Sequence, residues 1–125
     1  MENRSILVIE DNELNMKLMR GIFQLGNYRI IEAVDAETGM RLAREHRPFL
    51  ILMDIQLPGM DGLKATRIIK SDSELKDIPV VALTGFAMQG DEEKAWEAGC
   101  DGYITKPVDF KDVLKKIDEI YTMKK

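Results

Sequence analysis

The stretch Phe49-Leu50-Ile51-Leu52-Met53-Asp54 is apolar at five consecutive positions and then ends on a carboxylate. A strand with one solvent-facing side alternates apolar and polar residues, whereas a central strand of a parallel sheet is covered on both faces and is apolar throughout. The stretch therefore predicts a central parallel strand over 49–54. Such a strand would deliver Asp54 to the sheet edge at which the strands end.

Strand-like and helix-like patterns alternate on both sides of this stretch. The clearest helical spacing, over 13–25, comes from Leu14, Leu18, Met19, Ile22 and Phe23. Strands are predicted over 5–9, 29–33, 49–54, 80–84 and 103–105, and helices over 13–25, after the capping residue at 35, over about 63–71, over 91–98 and after the capping residue at 109. Five strand–helix units predict an α/β fold, a five-stranded parallel sheet with helices on both faces.

Composition narrows the class of protein. The chain of 125 residues has the length of one ordinary domain, and its formal net charge of −4 argues against binding to nucleic acid or to an anionic membrane surface. The N-terminus lacks the layout of a signal peptide, and no apolar run approaches the roughly 18 residues that span a bilayer. Its single cysteine, Cys100, excludes an internal disulfide. We expect a cytoplasmic protein.

Polar residues follow or end four of the predicted strands. Glu10 and Asp11 follow the first, Asp54 ends the third, Thr84 ends the fourth and Lys106 follows the fifth. In open parallel sheets the site lies beyond these carboxyl ends. Three carboxylates at one place repel each other unless a cation joins them, and oxygen ligands select a hard ion such as Mg²⁺. With a hydroxyl and an ammonium group nearby, the set is suited to phosphoryl transfer to a carboxylate.

Four stretches together resemble the signature of response-regulator receiver domains, in order and with the spacing of that family. They are Ile9-Glu10-Asp11-Asn12, Leu52-Met53-Asp54-Ile55-Gln56-Leu57-Pro58-Gly59-Met60-Asp61-Gly62, Val81-Ala82-Leu83-Thr84 and Tyr103-Ile104-Thr105-Lys106-Pro107. Residues 10–18 and 86–93 resemble the single-domain DivK-type receivers more narrowly. The resemblance implies a flavodoxin-like (βα)5 fold with strand order 2-1-3-4-5.

The same resemblance implies a phosphoacceptor switch of a two-component or phosphorelay system. Asp54 would take a phosphoryl group from a histidine kinase or a histidine phosphotransfer protein. Glu10 and Asp11 would bind Mg²⁺ together with Asp54 and the backbone carbonyl of Gln56, and Lys106 would contact a phosphoryl oxygen. Such a protein catalyses only its own phosphorylation and dephosphorylation and is not otherwise an enzyme.

Signalling would depend on residues of the last two strands. The resemblance implies that Thr84 bonds the phosphoryl group and that Tyr103 is the switch aromatic. It also implies a cis peptide at Lys106-Pro107, the kind of bond that is inexpensive only before proline. The expected output is contact with a downstream protein through the face formed by the fourth helix, the fifth strand and the fifth helix.

Several of these residues also have ordinary structural explanations. Glu10 and Asp11 could be an acidic pair that caps a helix, Thr84 could form a turn, and Tyr103 could simply pack in the core. Lys106 could be a surface lysine. His46, at the end of the second helix, is expected to be an exposed residue rather than a catalytic base.

Three rival functions can be weighed from the sequence. A phosphatase with an aspartyl-phosphate intermediate usually has a second aspartate two residues after the nucleophile, where this chain has Gln56. A pseudo-receiver would have lost Asp54, Lys106 or the acidic pair, and this chain has all of them. A nucleotide-binding domain would carry a glycine-rich loop after the first strand, which this chain lacks. We expect one receiver domain over 1–125 without an output domain. The alternative is a receiver domain excised from a hybrid histidine kinase or a longer response regulator.

Overall fold

A single five-stranded parallel sheet forms the centre of the computed structural model, which describes residues 4–55, 57, 59–84, 91–105 and 109–124. The strands lie in the order β2-β1-β3-β4-β5, which confirms the predicted order. The strands are β1 (Ser5–Ile9), β2 (Arg29–Ala33), β3 (Leu50–Asp54), β4 (Val80–Thr84) and β5 (Gly102–Thr105). The helices are α1 (Glu13–Leu25), α2 (Ala36–His46), α3 (Gly62–Ser71), α4 (Asp91–Ala98) and α5 (Phe110–Lys124).

Strand β3 occupies the middle of the sheet, between β1 and β4, as its continuous apolar run predicts. Every residue of β3 is buried, and Ile51 pairs with Leu7 on one side and Val80 on the other. The strand begins at Leu50, one residue later than predicted. Phe49 already donates its backbone N–H to Ser5 but belongs to an aromatic cluster below the sheet.

Two apolar layers cover the faces of the sheet. Alternate strand residues point to opposite faces, so each strand contributes to both layers. Helices α1 and α5 cover one face, through residues that include Met19, Phe23 and Ile117. Helices α2, α3 and α4 cover the other, through residues that include Ala43, Ile69 and Ala95. The methionines at 16, 19, 40 and 53 are all buried, as expected for core-filling residues.

Side-chain caps fix where the helices begin. The carboxylates of Asp35 and Asp61 and the side chain of Asn12 each accept a hydrogen bond from the backbone N–H three residues further on, at the starts of α2, α3 and α1. Helix α1 ends at Gly26 as predicted, but the residue with left-handed backbone is Asn27, whose φ is 62°. Asparagine is one of the few residues that adopts this conformation readily. Gly99 ends α4 in the same manner, with φ of 104°.

Helix α1 has a second apolar stripe that faces solvent. Met19, Ile22 and Phe23 are buried as their spacing predicts, but Leu14 is 78% exposed and Leu18 is 45% exposed. The helical spacing of the five residues is confirmed, but only three of them face the sheet. Met16 takes the remaining buried position, so Leu14 and Leu18 fall on the outer side of the helix. None of the helices that the described residues form is long and apolar enough to cross a bilayer.

An aromatic cluster closes the end of the sheet at which the strands begin. The Tyr28 ring stacks on Phe49 and meets Phe23 and Tyr121 edge to face. The Arg4 guanidinium lies 4.1 Å from the centre of the Tyr28 ring, and the Tyr28 hydroxyl donates to the carboxylate of Asp118 on α5. This cluster fastens the C-terminal half of α5 to the turn between α1 and β2.

The Tyr28 phenol should give the protein a pH-dependent stability. Burial raises its pKa, and the hydrogen bond to Asp118 raises it further. Above the ordinary phenol pKa of about 10, the unfolded chain releases this proton while the folded protein retains it, so the stabilisation falls as the pH rises. We expect Tyr28→Phe to be about 1 kcal/mol less stable than the wild type at neutral pH. Urea unfolding should show this difference shrinking above about pH 10. A difference that stays constant into that range would contradict the assignment.

Candidate functional site

Three neighbouring strands bring polar side chains to one edge of the sheet. Glu10 follows β1 directly, Asp54 is the last residue of β3 and Thr84 is the last residue of β4. Because Ile9 pairs with Met53, the next residues, Glu10 and Asp54, lie side by side. The parallel register therefore produces the convergence that the sequence predicts.

The carboxylates of Glu10, Asp11 and Asp54 each place an oxygen within 4.8 Å of the other two. Glu10 is 1% exposed and Asp54 is 3% exposed, whereas Asp11 is exposed to solvent. Two carboxylates at the floor of the site and a third at its rim form a small, strongly negative cup. A cup of this kind opens to solvent on the side of Asp11.

The donor set of this cup fits a hard divalent cation. Mg²⁺ binds oxygen ligands at about 2.0–2.1 Å in octahedral geometry, so adjacent ligand oxygens lie about 3 Å apart and opposite ones about 4.2 Å apart. Oxygens within 4.8 Å of one another can meet this shell through small side-chain rotations, or through a water in place of one carboxylate. The described residues of the cluster supply only oxygen donors, which favours magnesium over softer metals.

Backbone hydrogen bonds hold Glu10 in place. Its N–H donates to the carbonyl of Ala33 at 2.9 Å, and its side-chain Oε2 accepts from the N–H of Asn12 at 3.2 Å. Asn12 is also the N-cap of α1, so the same residue begins the helix and orients a carboxylate of the cup. This role of Asn12 was not predicted from the sequence. Its position directly before an apolar-periodic helix was the available indication.

The loop after β3 folds back over Asp54. Ile55 donates its N–H to the Leu83 carbonyl at 3.0 Å, and Gly62 donates to the Ile55 carbonyl at 2.9 Å. A Cβ atom on Gly62 would overlap the carbonyl oxygen of Asp54 and would lie 2.7 Å from Cα of Ile55. Glycine is needed here because the start of α3 rests directly on the backbone of the candidate phosphoacceptor.

Thr84 and Tyr103 lie on adjacent strands at this end of the sheet. Thr84 is buried and pairs with Thr105, while Tyr103 pairs with Ala82 and packs partly buried against the layer formed by α2, α3 and α4. The two side chains are thus two residues apart along the strand direction. The remaining predicted site residues, Gln56, Lys106 and Pro107 with its predicted cis bond, lie outside the described residues. His46 is exposed, as expected.

The sequence profile of the response regulator receiver domain family matches residues 6–118. This chain belongs to the response regulator receiver domain family. The match covers every strand and helix up to the middle of α5, including the three carboxylates of the cup.

Curated relatives place the chain more narrowly within this family. The polar-differentiation response regulator DivK of Brucella anthropi is 48% identical over 114 residues, which make up 91% of this chain and 93% of that protein. The protein of the same name from Brucella ovis is 47% identical over the same length. The similarity to DivK therefore extends over nearly the whole length of both proteins.

Solved structures share the fold. The receiver domain of a sensor histidine kinase from Pseudomonas aeruginosa superposes with a TM-score of 0.89 at 32% identity, covering 96% of this chain and 98% of that one. That domain was crystallised with a magnesium ion coordinated in its active site cleft. The chemotaxis protein CheY4 of Vibrio cholerae, at 20% identity and a TM-score of 0.87 over 94% of this chain and 98% of its own, shows the same fold.

Gly62 should tolerate no side chain. We expect Gly62→Ala to lose about 2 kcal/mol of stability, because its methyl group must displace the backbone of Asp54 and Ile55. Gly21, in the exposed middle of α1, has open space around the position of a Cβ and is the matched control. Gly21→Ala should gain about 0.5–1 kcal/mol, because alanine favours a helix. Urea unfolding measures both, and a Gly62→Ala protein as stable as the wild type would contradict the close contact.

Proposed function

We propose that this receiver takes a phosphoryl group from a phosphohistidine protein onto Asp54, with Mg²⁺ bound by Glu10, Asp11 and Asp54. The observation that carries this proposal is the cup of three carboxylates at the ends of β1 and β3. Buried carboxylates require compensating charge or hydrogen bonds, and three of them close together favour a bound cation. Magnesium in the cleft of the related Pseudomonas receiver supports the identity of the ion.

The transfer exchanges one bond to phosphorus for another. A carboxylate oxygen of Asp54 forms a bond to the phosphorus atom, and the bond from phosphorus to the donor imidazole nitrogen breaks, with its electron pair returning to the imidazole. Bound Mg²⁺ would neutralise charge on the phosphoryl oxygens. Glu10 and Asp11 would hold that charge close to Asp54. By the family resemblance, the carbonyl of Gln56 would complete the ligand set and the ammonium group of Lys106 would contact a phosphoryl oxygen.

The aspartyl phosphate would itself be the signal rather than the intermediate of a phosphatase reaction. Rapid hydrolysis requires an acid or base that positions and activates water. The position two residues after Asp54 is Gln56, which cannot transfer a proton in this way. We infer that the chain catalyses only its own phosphorylation and dephosphorylation.

Asp54 should be the only residue that is phosphorylated. Incubation with acetyl phosphate and Mg²⁺ should add one phosphoryl group to the wild type, as read by intact mass, because Asp54 ends the buried central strand and lies opposite Glu10 and Asp11. Asp54→Asn should abolish the addition, and excess EDTA should suppress it in the wild type. Undiminished labelling of Asp54→Asn would overturn the assignment, and undiminished labelling in EDTA would overturn the role of the metal.

The outer stripe of α1 is suited to contact the protein that donates the phosphoryl group. Helix α1 begins two residues after Asp11, so its exposed Leu14 and Leu18 lie beside the mouth of the cup. Leu25 continues this stripe, and Gly21 leaves open space within it. A helix that carries a phosphohistidine could lay an apolar face on this stripe while its histidine reaches Asp54.

Leu14→Ser should slow phosphoryl transfer from a protein donor but not labelling by the small molecule acetyl phosphate. Transfer from a phosphorylated histidine kinase, chosen as the one most active on the wild type, should slow about tenfold, because an apolar anchor is lost from the contact. Labelling by acetyl phosphate should not change, since Leu14 is not part of the cup. Ile68→Ser, which alters an exposed apolar residue on α3, is the matched control. Equal transfer rates in all three proteins would exclude α1 as the donor surface.

Phosphorylation would be transmitted through Thr84 and Tyr103 to the face formed by α4, β5 and α5. The hydroxyl of Thr84 can donate to a phosphoryl oxygen, and a hydrogen bond to a charged group is worth about 1.5–3 kcal/mol. Movement of Thr84 toward the site would open space that the Tyr103 ring could enter. A two-state shift needs only a few kcal/mol of differential stabilisation, so this bond and the burial of an aromatic ring are of sufficient size.

Trp96 is the reporter for this coupling. It lies on α4 between buried Ala95 and Ala98, is 45% exposed as its helical position predicts, and is the only tryptophan. Wild type should change its Trp96 fluorescence on binding beryllofluoride, a mimic of the phosphoryl group. Thr84→Ala should bind the mimic but respond much less. An undiminished response would remove Thr84 from the coupling, and amide shifts confined to α1 and α2 would overturn the choice of surface.

A further inference from the structure

A buried hydroxyl lies one helical turn after the residue that rests on the backbone of Asp54. Thr66, in the second turn of α3, is buried, and its Oγ1 donates to the carbonyl of Gly62 at 2.8 Å. A threonine in a helix interior often makes this bond to the carbonyl four residues earlier, with little gain in stability. The bond made by Thr66 differs from others of this type because its acceptor belongs to Gly62.

Gly62 is the residue that rests on the backbone of Asp54. Its Cα approaches so closely that no Cβ would fit, and its N–H donates to Ile55 at 2.9 Å. Any shift of Gly62 would therefore displace the backbone of Asp54 and of the loop that follows it. The Thr66 hydroxyl holds Gly62 through its carbonyl oxygen, whereas the loop holds it through its N–H.

The same hydroxyl also reaches the connection between α4 and β5. The Sγ atom of Cys100 lies 4.0 Å from Thr66 Oγ1, and burial raises the pKa of the Cys100 thiol, so that it keeps a proton to donate. The N–H of Cys100 donates to the carbonyl of Ala95, and the N–H of Asp101 donates to the carbonyl of Val80. Cys100 is thus attached to the end of α4 and lies next to the start of β5.

We propose that Thr66 is a positioning residue that connects the Asp54 loop to the end of α4, by a route separate from Thr84 and Tyr103. The route runs from the Cys100 thiol through the Thr66 hydroxyl and the Gly62 carbonyl to the backbone of Asp54. Movement of the loop on phosphorylation would be passed through it to α4. This inference rests on the proposed function, since it assumes that Asp54 is the phosphoacceptor.

The chemistry of the pocket favours a polar role over simple packing. A hydroxyl in a site this buried carries a desolvation cost that valine, of nearly the same shape, would avoid. The hydroxyl has an acceptor on one side and a weak donor on the other, which uses its O–H and one of its two lone pairs. Buried links of this kind respond as a unit when one member is removed.

Two substitutions at position 66 separate positioning from packing. Thr66→Val keeps the shape and loses the hydroxyl, whereas Thr66→Ser keeps the hydroxyl and loses a methyl group. We expect Thr66→Val to bind beryllofluoride about fivefold more weakly in the presence of Mg²⁺, and to give a Trp96 response reduced about threefold, as the loss of one hydrogen bond predicts. Thr66→Ser should resemble the wild type in both measurements. A packing role predicts the reverse order, with Thr66→Ser the more impaired.

Ser71→Ala is the matched control on the same helix. The Ser71 hydroxyl makes the same type of bond, at 2.8 Å to the carbonyl of Arg67, but on an exposed turn away from the loop. Its loss should leave beryllofluoride binding and the Trp96 response unchanged. Cys100→Ala should reduce the Trp96 response, and adding it to Thr66→Val should give little further loss, since both interrupt one route. Urea unfolding verifies that each variant is folded. If Thr66→Val does not fold, Cys100→Ala provides the test instead.

The outcomes distinguish this inference from the function on which it rests. A wild type that is not labelled at Asp54 and shows no Trp96 response would overturn the proposed function and the inference together. A responsive wild type with an equally responsive Thr66→Val and Cys100→Ala would overturn the inference alone. Fully additive losses in the double variant would show that Thr66 and Cys100 act separately, which also contradicts a single route.

Discussion

The close approach of the carboxylates of Glu10, Asp11 and Asp54, which repel one another, is the constraint on which the function of this receiver depends. The fold holds oxygens of the three carboxylates within 4.8 Å of one another, two of them buried. Parallel strands make this arrangement possible, because their carboxyl ends lie at one edge and strands far apart in the sequence become neighbours there. The result is a cluster of oxygen donors that could hold a divalent cation, and the proposed phosphoryl transfer to Asp54 rests on it.

The two ends of the sheet serve different purposes. At the end where strands begin, Arg4, Tyr28, Phe49 and Tyr121 form a closely packed aromatic cluster that fastens α5. At the other end the described residues supply repelling charges and a loop held by a few hydrogen bonds. Functional sites commonly sacrifice stability in this way, and the rest of the structure compensates for it.

Much of the fold follows from local patterns that the sequence displays openly. The apolar run into Asp54 defines the central strand, and Asp35 caps α2 as predicted. The convergence of the carboxylates was predictable too, since it depends only on strand ends in a parallel sheet. The start of β3 could be predicted only to within one residue, because Phe49 is apolar whether it lies in a strand or in an aromatic cluster.

Other features depend on contacts between distant residues and could not be predicted. Leu14 and Leu18 fit the helical period of α1, but periodicity alone does not tell which apolar residues face the sheet when more than one stripe is present. The contact of Gly62 with the backbone of Asp54 depends on the path of the loop between them. The approach of Cys100 to Thr66 joins residues 34 positions apart, and neither belongs to a motif.

The stability of Asp11→Asn with and without Mg²⁺ tests the central claim most directly. This change removes one negative charge from the cup with little change in shape. In EDTA, urea unfolding should show the variant to be at least as stable as the wild type, because repulsion is relieved. Saturating Mg²⁺ should reverse the order, since the wild type gains the free energy of metal binding and the variant gains much less. A variant that is less stable in EDTA and gains as much from Mg²⁺ as the wild type would contradict the account.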